Sequence, residues 1–111
     1  MELLITDKAW EELQTIQSQT SLYLLLWYDT EGCGCGVNGM ATIRFVKQRQ
    51  PSYKRVFNPR ILTFIEEQQE IFFSEKLTLD YEQGLFRLKS HEGILNPFIS
   101  KQQLTRGITK V

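Results

Sequence analysis

The sequence holds little of what usually reveals a function at once. Its 111 residues include two cysteines and one histidine, and thirteen basic residues balance thirteen acidic ones. A chain without net charge has no overall field to attract nucleic acid or an anionic membrane. No stretch approaches the roughly 18 apolar residues that span a bilayer, and the N-terminus does not resemble a leader. The default prediction is a cytoplasmic protein without a membrane or nucleic-acid partner.

Both cysteines lie in one segment, Cys33-Gly34-Cys35-Gly36. Four glycines in the segment from Asp29 to Gly39 predict a loop with a flexible backbone. A disulfide between thiols this close would gain little stability, because it would close almost no chain. In a reducing compartment such thiols are more often free or ligands. A Cys-Gly-Cys pair can turn both sulfurs onto one soft metal.

Two other interpretations of these cysteines stay open. In the first, Gly34 makes a tight turn, and Cys33 and Cys35 are small fillers beside it. In the second, the pair forms a strained and easily reduced disulfide that takes part in thiol exchange. The acidic neighbours Asp29 and Glu31 disfavour the reactive thiolate that exchange requires.

The rest of the sequence predicts one α+β domain over residues 1–100. Thr6 is a good N-cap, and apolar residues recur at helical spacing after it, which predicts an amphipathic helix from Asp7 to about Gln19. A continuous apolar run over residues 22–28 predicts a buried central strand. Residues 101–111 are polar, which favours a disordered tail. The remaining predicted elements are strands at 41–46, 53–57 and 61–65, a short helix at 66–73, and an antiparallel hairpin at 77–81 and 84–88.

Three blocks of sequence resemble the HesB-like family of iron–sulfur cluster biosynthesis proteins, the A-type carriers. The first is Ile5-Thr6-Asp7-Lys8-Ala9 with Leu13, and the second is Glu31-Gly32-Cys33-Gly34-Cys35-Gly36. The third is Leu77-Thr78-Leu79-Asp80-Tyr81-Glu82, followed by Leu85-Phe86-Arg87-Leu88. Each block alone is weakly specific, so their order and spacing carry the resemblance.

The resemblance implies a compact β-rich fold, with two small mixed or antiparallel sheets and one or two helices outside. It also implies a loop cysteine, Cys33 or Cys35, that presents iron or an iron–sulfur cluster. In the A-type carriers a Cys-Gly-Cys pair follows the last hairpin. Here that region, residues 90–97, contains no thiol, so this chain resembles a divergent branch without the C-terminal ligands.

The number of ligands limits what one chain can hold. A [2Fe–2S] cluster normally takes four thiolates, and a closed zinc site takes four ligands. A symmetric homodimer would bring two loops together and supply four thiolates. The lone His91 would be a third ligand only if its hairpin end folds over the loop, and an exposed turn before Gly93 is the favoured interpretation.

Other residue patterns point to ordinary surface. A cysteine nucleophile with His91 and Asn96 is a combination that arises by chance in a chain of this length, so we predict no enzyme. Glutamates at 66, 67 and 70 fit a solvated helix face. A basic and aromatic stretch could bind phosphate or an acidic partner. The pattern is more typical of an edge strand whose lysines and arginines prevent pairing with another chain. That stretch comprises Lys47, Arg49, Tyr53, Lys54, Arg55, Phe57 and Arg60.

The sequence therefore predicts a non-enzymatic protein related to iron–sulfur cluster biosynthesis. Its candidate ligands for iron or a cluster are Cys33 and Cys35, and its expected partners are a second copy and the proteins that assemble or receive clusters. The alternatives are an interaction module that keeps the fold without the cluster, and a thiol-redox protein.

Overall fold

The computed structural model describes residues 1–17, 22–29 and 39–109, with side chains described as far as residue 105. They form an α+β fold of eight strands with two α-helices and one 3-10 helix. In chain order they are β1 (Glu2–Ile5), α1 (Asp7–Gln17), β2 (Tyr23–Asp29), β3 (Met40–Val46), β4 (Tyr53–Val56), β5 (Thr63–Glu66), a 3-10 helix (Glu67–Phe72), β6 (Lys76–Glu82), β7 (Leu85–Ser90), β8 (Gly93–Ile99) and α2 (Lys101–Thr109).

The strands form two four-stranded sheets. Sheet A has the order β1-β6-β7-β8, and sheet B has the order β3-β2-β5-β4. Both are mixed, since β1 pairs with β6 and β2 with β5 in parallel while the other pairs are antiparallel. This confirms the predicted β-rich α+β fold of two small sheets with few helices.

The main core is built from alternating positions of the strands. In β3 the side chains of Ala41, Ile43 and Phe45 are buried and their neighbours are not, as expected for a strand with one face on a core. The central strand β2 contributes Leu24 and Leu26 to the same cluster. Burying one side chain of this size stabilises the fold by about 1.5–3 kcal/mol. The cluster joins both sheets and both α-helices.

Helix α1 begins where the sequence predicts. The Thr6 hydroxyl accepts a hydrogen bond from the Ala9 amide at 3.3 Å, which caps the helix. The same hydroxyl donates to the Asp80 carboxylate at 2.9 Å, so the cap also fixes α1 to β6. The helix is described as far as Gln17, and the last predicted residues, 18 and 19, lie outside the described part.

The predicted hairpin is also present, as β6 and β7 with Leu79 opposite Leu88. Its two turn residues, Gln83 and Gly84, have φ values of 55° and 84°. Positive φ at both turn positions gives the twist that matches a tight hairpin. The hairpin is longer than predicted, since β7 continues to Ser90.

The expectation of a disordered tail was wrong, and strands β1 and β8 were not predicted. Residues 101–109 form α2 rather than a disordered tail, and Leu104 of this helix is fully buried in the main core. Two apolar residues, Leu104 and Ile108, in an otherwise polar segment are too short a pattern to predict a helix from sequence. Strands β1 and β8 complete sheet A at its two edges. Within the described residues, neither α-helix is long and apolar enough to cross a membrane.

Candidate functional site

The candidate ligands Cys33 and Cys35 lie outside the described residues, so the structure does not test them. It does define both ends of their loop. Asp29 and Met40 are the last directly opposite pair of the β2–β3 ladder, and paired residues of antiparallel strands have Cα atoms about 4.5–5.5 Å apart. The chain between them therefore leaves β2 and enters β3 at the same end of sheet B.

An aromatic pair braces this end of the sheet. The ring of Tyr28 stacks on that of Phe72, with centroids 4.0 Å apart and planes at 7°. The Gly39 amide, at the return end of the loop, donates a hydrogen bond to the Tyr28 hydroxyl at 3.1 Å. A Cβ at position 39 would lie 2.5 Å from a Tyr28 ring carbon, so glycine is required for this close approach.

The Gln69 side chain holds the departing end of the loop. Its amide oxygen accepts a hydrogen bond from the Tyr28 N–H at 3.0 Å, and its amide nitrogen donates to the Tyr28 carbonyl at 3.3 Å. Strand β5 pairs with β2 only as far as Leu26. Gln69 thus takes the place of a further strand residue, and its primary amide satisfies backbone groups that would otherwise lack a partner in the sheet.

Strand β8 runs beside the same part of sheet B. The buried Asn96 donates a hydrogen bond to the Ala41 carbonyl at 2.8 Å and accepts one from the Phe98 amide at 3.1 Å. This side chain ties sheet A to β3, close to where the loop returns. A cleft of about 60 Å³ opens beside this contact between Asn96 and β3. Its lining residues are Asp29, Met40, Thr42, Ile43, Arg44, Asn96 and Gln103.

In the described part of the chain, neither His91 nor the glutamates belong to a group of three or more potential metal ligands. His91 lies in the exposed turn between β7 and β8, as its favoured interpretation predicts. Glu66 accepts a hydrogen bond from the Ser52 hydroxyl at 2.9 Å, and Glu70 pairs with Lys54 at 3.0 Å. Within the described residues, three or more His, Cys, Asp or Glu side chains nowhere come together as metal ligands.

Sequence analysis missed the residues that support the loop. In the sequence Tyr28 is only one residue of an apolar run, and Gln69 only one residue of a predicted polar helix. Asn96 had a weak signal, since it interrupts the apolar residues Leu95 and Phe98 within one strand. The role of each follows from contacts across 11 to 55 positions of the chain, which local patterns do not show.

The comparisons with known proteins agree with the described fold. The sequence profile of a family described as iron–sulphur cluster biosynthesis matches residues 1–101. The uncharacterized protein YqkB of Bacillus subtilis is 31% identical over 103 residues, which are 90% of this chain and 96% of that protein.

Two solved structures extend the likeness to three dimensions. A crystal structure from Lactobacillus salivarius, assigned to Fe–S biosynthesis, has a TM-score of 0.72 at 18% identity and covers 90% of this chain and 95% of its own. IscA, crystallised with a [2Fe-2S] cluster, has a TM-score of 0.60 at 17% identity and covers 89% of this chain and 99% of its own. At such identities these two structures show the fold.

Proposed function

Since this chain belongs to the iron–sulphur cluster biosynthesis family, we propose that it is a carrier that binds iron or an iron–sulfur cluster as cargo. Cys33 and Cys35 are the proposed ligands, and the cargo passes on to recipient or assembly proteins without an enzymatic step. Cysteine thiolates are soft ligands that suit iron and its clusters. The proposed compartment is the cytoplasm, where thiols stay reduced.

The main support for this proposal is that the two ends of the cysteine loop are held together by contacts in sheet B. The Asp29–Met40 pair and the Tyr28–Gly39 hydrogen bond hold the ends of the loop beside each other on a rigid sheet. A metal-binding loop whose ends are fixed loses less conformational freedom on binding than one with free ends. The fold thus supplies a firm platform for the segment that holds both thiols.

The number of ligands supports a homodimer as the loaded form. One chain offers two thiolates, whereas a [2Fe–2S] cluster normally takes four. Within the described residues, His, Cys, Asp and Glu side chains do not gather in groups of three or more. A two-fold dimer would place the Cys33 and Cys35 of each copy around one cluster.

One observation favours a second candidate function. The sequence resemblance places the family's C-terminal thiols in residues 90–97, where this chain has Asn96, whose buried amide is hydrogen bonded to the Ala41 carbonyl and the Phe98 amide. That arrangement serves packing between sheets rather than metal binding. The second candidate is therefore an interaction module that keeps the fold without the cargo. A thiol-redox protein remains the alternative that uses the same cysteines.

Anaerobic reconstitution with ferrous iron and sulfide tests the carrier. We would compare the wild type with the Cys33→Ser, Cys35→Ser double variant by visible absorption, iron and sulfide analysis, and size-exclusion mass. The carrier predicts charge-transfer absorption and dimer formation in the wild type, and neither in the double variant. Gln69→Ala is an additional variant, because it loosens the base of the loop and leaves both thiols.

Other outcomes would identify the alternatives. Iron uptake that is equal in the wild type and the double variant contradicts the carrier, as does no uptake in either. A reversible disulfide in the wild type, without iron uptake, would instead support thiol exchange. Loss of a partner interaction on mutation outside the loop, with no effect of the double variant, would support the interaction module.

A further inference from the structure

The outer face of sheet B has an unusual row of side chains. Arg44, Leu25, Phe64 and Arg55 lie directly opposite one another across β3, β2, β5 and β4. The main core takes the alternate residues of β2, including Leu24 and Leu26. Because side chains alternate between the two faces of a strand, this row lies on the face that points away from the main core.

Aromatic rings and arginines cover the centre of this face. Leu25 and Phe64 are only 2% and 1% exposed, although neither belongs to the main core cluster. The Tyr23 ring meets Phe64 edge to face at 5.5 Å, and the Tyr53 ring lies 6.2 Å from it. The Arg49 guanidinium lies 4.8 Å from the centroid of the Phe64 ring.

A second arginine covers the neighbouring aromatic side chain. The Arg44 guanidinium lies 4.6 Å from the centroid of the Trp27 ring, and Trp27 belongs to the same face as Leu25 because it is two residues further along β2. Trp27, Tyr23 and Tyr53 are all partly exposed. We call the surface formed by Tyr23, Trp27, Arg49, Tyr53, Arg55 and Phe64 the arginine–aromatic face.

Two arginines bring positive charge to this face. Within the described residues, Arg49 and Arg55 are exposed and make no ion pair. Elsewhere in the described chain, five basic residues pair with carboxylates. These are Lys54, Arg60, Arg87, Lys89 and Lys101.

We propose that the arginine–aromatic face is a docking surface for an acidic segment of a partner protein. Carboxylates of such a segment would form charge-assisted, bidentate hydrogen bonds with Arg49 and Arg55. Its apolar side chains would pack against Tyr23, Trp27 and Tyr53, and tyrosine, tryptophan and arginine are the residues that dominate binding energy at protein interfaces. The positive charge of the face favours a partner segment of negative charge.

A polyanionic nucleic-acid backbone fits this face less well. The chain has no net charge, and nucleic-acid affinity depends on neutralising many phosphates at once. Glu66 lies opposite Tyr53 in the same sheet, where it would repel a continuous run of phosphates. A protein segment that alternates acidic and apolar residues avoids that repulsion, because its charges are spaced.

The test measures peptide binding to the full chain through Trp27 fluorescence. The sequence has two tryptophans, so a Trp10→Phe background leaves Trp27 as the only reporter. The probes are a synthetic peptide of alternating glutamate and leucine, its lysine–leucine counterpart, and oligothymidylate. The variants are the pair Arg49→Gln, Arg55→Gln and the matched control pair Lys8→Gln, Lys76→Gln, which alters the net charge equally at two exposed positions away from this face.

We expect the glutamate–leucine peptide to bind and the lysine–leucine peptide not to bind. The arginine pair variant should raise the dissociation constant by at least about tenfold, the lysine pair variant by less than about twofold, and added salt should weaken binding. The Cys33→Ser, Cys35→Ser variant should bind the peptide as the wild type does, which separates this surface from the proposed cargo site.

Several results would overturn the proposal. An equal loss in the two pair variants would mean that net charge alone attracts the peptide. An unchanged dissociation constant in the arginine variant would place binding elsewhere. Tighter binding of oligothymidylate than of the acidic peptide would assign the face to single-stranded nucleic acid, whose bases stack on aromatic side chains. Failure of the wild type to bind the acidic peptide would also contradict it.

Discussion

The Gly39 amide donates a hydrogen bond to the Tyr28 hydroxyl at 3.1 Å, across the base of the cysteine loop. The Tyr28 ring also leaves no room for a side chain at position 39, since a Cβ there would be 2.5 Å from a ring carbon. The ring has little freedom to withdraw, because its other contact is a stack with Phe72 at 4.0 Å. The loop thus returns to the sheet over an aromatic side chain that is itself fixed.

We expect Gly39→Ala to destabilise the fold by about 1–3 kcal/mol, the usual cost of inserting a methyl group into a packed contact. Chemical denaturation would measure the free energy of unfolding. The control is the same substitution in a Tyr28→Ala background, where the ring is gone and the cost should nearly vanish. A cost that is equal in both backgrounds would show that the ring contact is not its cause.

Gln69→Ala should lower the free energy of unfolding by about 1–3 kcal/mol. It removes both hydrogen bonds to the Tyr28 backbone and leaves two partly buried groups without a partner. The matched control is Gln68→Ala, since Gln68 is the exposed neighbour on the same 3-10 helix. Hydrogen exchange at the Tyr28 amide should accelerate in the Gln69 variant only. Similar exchange in both variants would contradict the role given to Gln69.

Asn96→Asp should destabilise the fold by about 3 kcal/mol or more at pH 7.5, although the side chains are nearly isosteric. It replaces the amide that donates to the Ala41 carbonyl at 2.8 Å with a buried carboxylate facing that oxygen. Burial favours the neutral acid, so the penalty relative to wild type should shrink at pH 4.5. Urea denaturation at both pH values measures it, and a penalty independent of pH would contradict this explanation.

Asp80 should make stability depend on acid pH. Burial raises the pKa of Asp80, but hydrogen bonds from the Tyr81 amide, the Thr6 hydroxyl and the Lys89 ammonium outweigh burial and lower the pKa below its ordinary 3.8. A carboxyl group with a lowered folded pKa contributes stability above its unfolded pKa of about 3.9, and this contribution is lost as pH falls through the lower folded pKa.

Asp80→Asn should therefore cost about 1–3 kcal/mol at pH 7 and less at pH 3, because the wild type loses the contribution of the charge there. Denaturant unfolding across this range would measure both chains. Thr6→Ser is the control that keeps the hydroxyl donor to Asp80 and should retain the wild-type pH dependence. An Asp80→Asn variant with the same pH dependence as the wild type would place the acid sensitivity elsewhere.

Leu104→Ala tests the docking of α2. Leu104 is fully buried in the main core, and removal of such a side chain costs about 2–5 kcal/mol. Gln102→Ala, at an exposed position of the same helix, should change the free energy of unfolding by less than about 0.5 kcal/mol. Equal small effects would mean that the helix does not contribute to the stability of the domain.

Local sequence patterns were sufficient to predict much of sheet B and the β6–β7 hairpin. The apolar run before Asp29 predicted β2, because a strand covered on both faces shows no alternation. Alternation predicted β3 and the β6–β7 hairpin, and Thr6 predicted the start of α1. These features depend on neighbours in sequence, where the periods of strands and helices are directly visible.

Elements whose stability depends on distant contacts were not visible in the sequence. Helix α2 has only two apolar residues, Leu104 and Ile108, and β8 includes a buried Asn96 and a proline at 97. Gln69 acts only because the chain folds back so that its amide meets the backbone of Tyr28. Such contacts join residues far apart in sequence, and a one-dimensional pattern carries no record of them.

The sequence alone determined the fold class, the family resemblance and the presence of both thiols in one glycine-rich loop, since these follow from composition, periodicity and the order of motifs. Tertiary structure decided how the base of that loop is braced and that Arg49 and Arg55 lie on one face of sheet B beside aromatic rings. The physical reason is that strand pairing sets which side chains become neighbours. Hydrogen-bond geometry and uncompensated charge exist only once those neighbours are in place.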